Sequence, residues 1–438
     1  MALRTGQTVH AAAPIDTLDA PAARAIPHLP QWDSSFALLA DPYRFIANAC
    51  HHAGTEAVQG RLLLQPVTCL TGVCAAELFY DRDRFQRAGA APEPMRATLF
   101  GKGGVQGLDG AAHGHRKALF LAVTSATGVA ELVQIARAEW APCLYRWRRK
   151  GQVPLYAVAQ DWLMGAACAW IGLALPDAER GKRTQQTASL FDAAASGALR
   201  HLGARWNRRA AEQWIAGRVA AERRHPGSFR AGTAAHAVAW HREAAGTLLP
   251  ERIAAVELLN LLRPVVAVSV FVVFVAHALE ADAISRATLS DGHNARYLRA
   301  FVQEVRRRYP FFPAVAARTR CAFDWHGYHF PAGRRVLLDL YGTNHDSRRW
   351  RRPDEFLPER FLSARPGPFD LVAQGGGDAA TGHRCPGEDA TIALMSLAVQ
   401  LLLHETHYRL PPQDLRLDLR RLPALPIGGF VVEHLRSR

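Results

Sequence analysis

Cys385 has the most chemically informative surroundings in the chain. It closes the stretch Gln374-Gly-Gly-Gly-Asp-Ala-Ala-Thr-Gly-His-Arg-Cys385-Pro-Gly-Glu388 and precedes the apolar run Ala390 to Leu403. A cysteine just ahead of a helix meets unpaired amide donors and the positive end of the dipole, which favour thiolate over thiol. Glycines beside it let the backbone approach a flat ligand closely. The same features also suit a buried structural cysteine, so the cysteine alone leaves both readings open.

A second costly feature is the pair Arg263-Pro264 inside the apolar stretch Leu258 to Leu279. A proline within a helix removes a backbone hydrogen bond and costs about 3 kcal/mol. A buried arginine without an anion is strongly disfavoured. Side by side they point to function; the alternative is that Arg263 pairs with an acid elsewhere in the core. The stretch is long enough to span a bilayer. An arginine in lipid costs roughly 2.5–3.5 kcal/mol, however, and the better reading is a helix buried on all sides, with no transmembrane segment.

The elements that must position these residues follow from periodicity. Helical length and spacing predict helices over Gly128 to Arg149, Pro154 to Leu173, Ala210 to Arg224 and Glu251 to Glu280. Ala322 to Leu340 alternates, with Gly327 and Gly333 as turn signals. The fold class is therefore mainly α with small β-sheets. The long aperiodic stretch from Tyr341 to Arg384 reads as a functional loop. Residues 1–30, rich in Ala and Pro, are expected to form a flexible tail, and residues 31–438 a single catalytic domain.

Composition narrows the class. The chain has 438 residues, 49% hydrophobic and 21% charged, enough to bury a large core. A net charge of +14 would raise nucleic acid as a partner, yet only four of the 53 basic residues are lysines and the arginines are scattered. No nucleic-acid role is expected. The seven cysteines, Cys50, Cys69, Cys74, Cys143, Cys168, Cys321 and Cys385, are odd in number and lack paired spacing, which argues against a disulfide framework. The N-terminus carries no secretory pattern, and a cytoplasmic location fits best. His404-Glu-Thr-His407 lacks metalloprotease spacing, and Cys321 with His326 and His329 lacks a fourth ligand.

Two motifs lie upstream of the cysteine loop. Glu304-Val-Arg-Arg307 sets a carboxylate and a guanidinium at i and i+3, and Pro358-Glu-Arg360-Phe361 adds a second arginine. Alone, such a pair is a solvated helix contact worth a few tenths of a kcal/mol. In this order, followed by the Cys-Pro-Gly loop, the set resembles the cytochrome P-450 superfamily. The resemblance implies that haem b (iron protoporphyrin IX) lies between a long central helix and the cysteine loop. Cys385 would be the axial ligand of its iron, pushing electron density onto it, and Glu304, Arg307 and Arg360 a structural network.

The departures from that pattern narrow the family. Ordinary members have phenylalanine seven and glycine four positions before the cysteine; Asp378 and Thr381 stand there, with Gly375 to Gly377 marking a longer loop. The long helix lacks the acid–alcohol pair of oxygen-activating members and reads Leu261-Leu-Arg263-Pro264-Val-Val-Ala267. This is similar to the fatty-acid peroxygenases. The likeness extends through Phe85-Gln-Arg87, Leu99-Phe-Gly, Gln106-Gly-Leu-Asp-Gly110, His113-Gly-His-Arg-Lys117, Tyr341-Gly-Thr-Asn-His-Asp346 and Leu422-Pro-Ala-Leu-Pro426.

By that resemblance Arg263 and Pro264 form the carboxylate site, Gln106 lies on the distal side near the iron, and Phe100 lies in the substrate channel. Arg87, His113, Lys117 and His383 become candidate partners of the haem propionates. The activity implied is hydroxylation of a fatty acid at the α or β carbon with hydrogen peroxide, without an obligatory redox partner. The substrate carboxylate acts as the acid–base group. The alternatives carried forward are decarboxylation to terminal alkenes, a conventional redox-partner-dependent monooxygenase, and a haem sensor or carrier.

Overall fold

The computed structural model describes residues 24–193 and 197–438. Its centre is the helix Glu251–Ala281, most of whose side chains are buried. Valine, leucine and phenylalanine occupy all sides of this helix, so it must be covered all round. It packs against Leu155–Ile171 and Ala198–Arg224 on one side and against Glu388–Gln400, the helix that follows the cysteine, on another. It is the one described helix that by itself is long and apolar enough to cross a membrane, and it is the core helix of the protein.

A five-stranded sheet lies apart from this helical body, in the order Ala57–Leu62, Gln65–Leu70, Arg335–Asp339, Ala314–Thr319, Phe85–Gln86. Only Gln65–Leu70 and Arg335–Asp339 run parallel. The alternating segment forms the expected hairpin, Phe323–Trp325 with Tyr328–Phe330, and then the strand Arg335–Asp339. A three-stranded sheet joins Gln152–Pro154, Val431–Ser437 and Thr406–Arg409.

Two expectations need correction. The helix expected over 210–224 begins at Ala198. Its first turns carry Leu199, Leu202 and Trp206 exposed to solvent, so the hydrophobic pattern hides what the Ala- and Arg-rich propensity sustains. The tail expected over residues 1–30 is packed from Arg24 onward. Ile26 and Leu29 are buried, and backbone hydrogen bonds tie Leu29 to Gln59 and Arg24 to Gly327. Gly60 makes room, since a Cβ there would sit 2.8 Å from Leu29 Cδ1. Two apolar side chains in an Ala/Pro-rich segment suffice to dock it against the sheet. Residues 1–23 lie outside the described residues.

The loop from Tyr341 to Arg384 is held by the Glu304, Arg307 and Arg360 set. Arg307 donates Nε and Nη2 to the Glu304 carboxylate at 2.8 and 2.7 Å. Its remaining hydrogens reach the carbonyls of Asn344, Pro353 and Glu355. Glu304 Oε1 also accepts from Leu357 N at 2.9 Å and Arg360 Nε at 3.2 Å. Glu304 and Arg307 are fully buried, so a segment whose helices are only the short turns Leu340–Asn344 and Arg360–Ser363 gains rigidity from five guanidinium and amide donors. Removing one partner of such a pair costs about 3–5 kcal/mol. Glu304→Gln is accordingly expected to lower the unfolding midpoint sharply and to reduce haem incorporation. Thermal denaturation and haem-to-protein ratio measure this, and a variant as stable and as loaded as the parent would contradict the assigned role.

Candidate active site

The cysteine loop folds back on itself. Cys385 N donates to Gln374 O at 3.1 Å, and Gly375 takes φ +96, where a Cβ would come within 3.0 Å of Tyr80 Oη. The neighbouring Arg306, also buried, pairs with Glu388 and donates Nε to Gln374 Oε1 at 3.2 Å. Gln374 Nε2 in turn faces Cys385 Sγ at 3.8 Å and Thr391 Oγ1 at 3.0 Å. Burial pushes the Cys385 thiol up, opposed by the Gly387 amide and by the charges of Arg306 and Lys117. The amide donors expected from the helix start are present, but in the protein by itself desolvation outweighs them. A bound metal deprotonates a coordinating thiol outright.

The central helix brings Arg263 toward this sulfur, near enough for the Cys385 charge to act on the guanidinium. Arg263 is 7% exposed. Burial first, then the neighbouring Arg208, pull its pKa down to about 9. Among the described residues no carboxylate pairs with it. Nη2 reaches Asn260 Oδ1 at a long 3.5 Å, and buried Nε has no partner. The alternative of an acid partner in the core is therefore not what the fold provides. Pro264 continues the helix without ending it.

Gln106 lies in a 3-10 turn, Val105–Gly107, and its Oε1 accepts from Asn260 Nδ2 at 3.0 Å. Phe100 ends a π-helical turn, Arg96–Phe100, packed against the main core. Buried Arg208 caps that turn, reaching the carbonyls of Thr98, Leu99 and Phe100. Arg87, His113, Lys117 and His383 come together around the other side of the cysteine loop. His113 stacks on His383 at 4.1 Å, and His383 Nε2 lies 3.3 Å from Asp109. Lys117 donates to the carbonyls of Gly382 and Arg384, and Arg87 Nη1 is buried without a partner. Burial holds His113 at about 4, His383 at about 3 and Lys117 at about 8, all below their ordinary values.

The comparison of folds decides the family. A solved variant of cytochrome P-450SP alpha superposes with a TM-score of 0.90 and 46% identity, covering 93% of this chain and 99% of that one. The chain is a cytochrome P-450 of the fatty-acid peroxygenase family. Cytochrome P-450EX alpha with myristic acid matches at 41% identity and TM-score 0.90, over 95% of this chain and all of that one. A variant of cytochrome P-450 OleT in complex with arachidonic acid matches at 31% and 0.90, over 95% and 99%. The family model described as Cytochrome P450 matches residues 276–428 of this cytochrome P-450.

Curated relatives match only in part. (+)-Vincadifformine 19-hydroxylase of Catharanthus roseus is 31% identical over 137 residues, 30% of this chain and 26% of its own length. The chain thus spans about a quarter of the length of such relatives.

The cofactor of a cytochrome P-450 is a haem iron, and the residues present fit one. A lone cysteine faces the central helix, and a crowd of basic side chains beside it leaves buried Arg87 Nη1 unsatisfied, as suits a group bearing carboxylates. Cys385 would hold the iron, with Arg87, His113, Lys117 and His383 at the propionates.

Sequence reasoning missed Glu257, Asn260, Arg116, Arg208, Arg306 and Gln374. For the first two a signal existed. Glu257, Asn260 and Arg263 recur every three residues along one side of an otherwise apolar helix, and a polar stripe in a buried helix demands partners.

Proposed function

We propose that the protein uses hydrogen peroxide to hydroxylate fatty acids at the α or β carbon, with Arg263 holding the substrate carboxylate. The observation that carries this is the buried guanidinium of Arg263, without an acid partner among the described residues and set toward Cys385. Haem b, which Cys385 would hold, would supply the oxidising chemistry with hydrogen peroxide as the oxidant. The carboxylate clamped by Arg263 takes a proton from one peroxide oxygen and returns it to the oxygen that leaves as water. The products are then a hydroxy acid and water. Gln106 can only hydrogen-bond and orient, and Phe100 sets how the chain enters. No redox partner is needed, the protein works in the cytoplasm, and the chain from Arg24 onward acts as one catalytic domain.

Peroxide added to the purified protein with free fatty acids, without reductase, tests the reading. Hydroxy acids are expected to dominate over one-carbon-shorter alkenes. A histidine at the Gln106 position could relay a proton near neutrality, whereas an amide cannot. Because about 1.4 kcal/mol changes a ratio tenfold, some alkene is expected alongside. Predominant alkene would replace hydroxylase with decarboxylase, and turnover only with reductase would favour a conventional monooxygenase.

A further inference from the structure

Glu257 lies two helical steps from Arg263, fully buried, and no part of the chemistry above uses it. Its carboxylate is gripped from three directions. Arg116 Nη1 donates to Oε1 at 2.6 Å, Asn260 Nδ2 donates to Oε2 at 3.1 Å, and the Val105 amide adds a backbone hydrogen bond. Arg116 itself is buried and anchored on its far side by Glu243. Burial pushes the Glu257 carboxyl up while these donors pull it down; they give a buried carboxylate the partners it needs to stay charged.

We propose that Glu257, acting through Asn260, fixes which end of the Gln106 amide faces the substrate, so that this wall of the site offers only donors to a carboxylate. A guanidinium is donor only and a carboxylate acceptor only. Asn260 stands between the two, with Oδ1 toward Arg263 Nη2 and Nδ2 toward Glu257 Oε2. Turning it over would set NH2 against guanidinium and oxygen against carboxylate, so its orientation is dictated by its neighbours' chemistry. The second Nδ2 hydrogen then goes to Gln106 Oε1 at 3.0 Å. The end of Gln106 left for a ligand is Nε2, a donor. Polarity thus passes from Arg116 through Glu257 and Asn260 to Gln106, and an anionic head group meets hydrogens from both Arg263 and Gln106. Glu257 and Asn260 are positioning residues.

This inference rests on the reading that Arg263 and Gln106 face the fatty-acid carboxylate, and its test separates the two. In haem-loaded Glu257→Gln, residue 257 can donate as well as accept, and the amide chain loses its fixed direction. Dissociation constants for myristate and for the neutral fatty alcohol of the same length are read from the haem absorption shift. Myristate is expected to bind about tenfold more weakly, the equivalent of about 1.4 kcal/mol, while the alcohol stays within about twofold because a hydroxyl both donates and accepts and can meet either end of the amide. Asn260→Leu should show the same selective loss and serves if Glu257→Gln does not fold. Equal weakening of acid and alcohol would mean a merely structural role, and unchanged myristate binding would overturn the proposal. If Arg263→Ala also binds myristate like the parent, the carboxylate reading itself fails, independently of Glu257.

Discussion

Arg263→Ala is expected to yield a red, folded protein that no longer oxidises free fatty acids with hydrogen peroxide. The side chain is buried with one long hydrogen bond and an orphaned Nε, so its work in the fold is small and its work on a bound carboxylate large. Losing one partner of a buried charge pair costs about 2–5 kcal/mol. Losing the positioned acid–base group that the carboxylate represents costs a further factor of about 10²–10⁴. Together these take turnover below detection.

Stability should move the other way. Burial holds the Arg263 pKa down at about 9, which means the fold disfavours the charged form relative to the unfolded chain. That cost is present at every pH below about 9 and disappears when the group is removed. The substrate-free variant should therefore melt no lower than the parent at neutral pH, a stability–activity exchange common at binding sites. In the parent, a short carboxylic acid held by Arg263 as a decoy should permit oxidation of substrates lacking a carboxylate, because it supplies the acid–base group, and the variant should lose this activity too. Product yield with peroxide, haem content and melting temperature measure the three effects. Fatty-acid oxidation at the parental rate would sink the carboxylate role.

Cys385→Ala should abolish the spectrum and the reaction together. The parent, reduced under carbon monoxide, is expected to show the long-wavelength band of a thiolate-ligated haem, and the variant to lack it. The loop around Cys385 is held by Gln374, Arg306 and Glu388, and the sulfur adds only the Gly387 amide and the Gln374 contact at 3.8 Å. The alanine variant should thus fold while losing the ligand that favours O–O cleavage. Cys385→His should retain haem, supply a neutral nitrogen in place of the thiolate, and remain inactive toward fatty acids. A variant that keeps the band, or a haem-free protein of full activity, would end the haem-thiolate reading; a haem sensor or carrier would show the band with no peroxide turnover.

The residues that act through local spacing were legible in the chain. Cys385 before a helix, Glu304 and Arg307 three apart, and Arg263-Pro264 inside an apolar run each declare a cost or a geometry within a few positions. The ordered set carries the family because Glu304, Arg307 and Arg360 together hold the loop that leads to Cys385. The central helix was equally plain, since apolar residues on every side admit only burial.

What needed the tertiary structure is what crosses it. Asn260 meets Gln106 across 154 residues, Arg306 meets Glu388 across 82, and Arg116 meets Glu257 across 141. No periodicity encodes such pairs, because a polar side chain in a buried helix says only that a partner exists and not where the chain will supply it. The docking of Ile26 and Leu29 was hidden for a related reason, as it depends on a neighbouring surface, whereas the start of the Ala198–Arg224 helix was hidden because its exposed Leu199, Leu202 and Trp206 leave propensity, not hydrophobic pattern, to sustain it. The direction of the Gln106 amide is the extreme case. Nothing in residue 106 distinguishes its two ends until a buried carboxylate and guanidinium, brought together by the fold, allow only one of them to face the site.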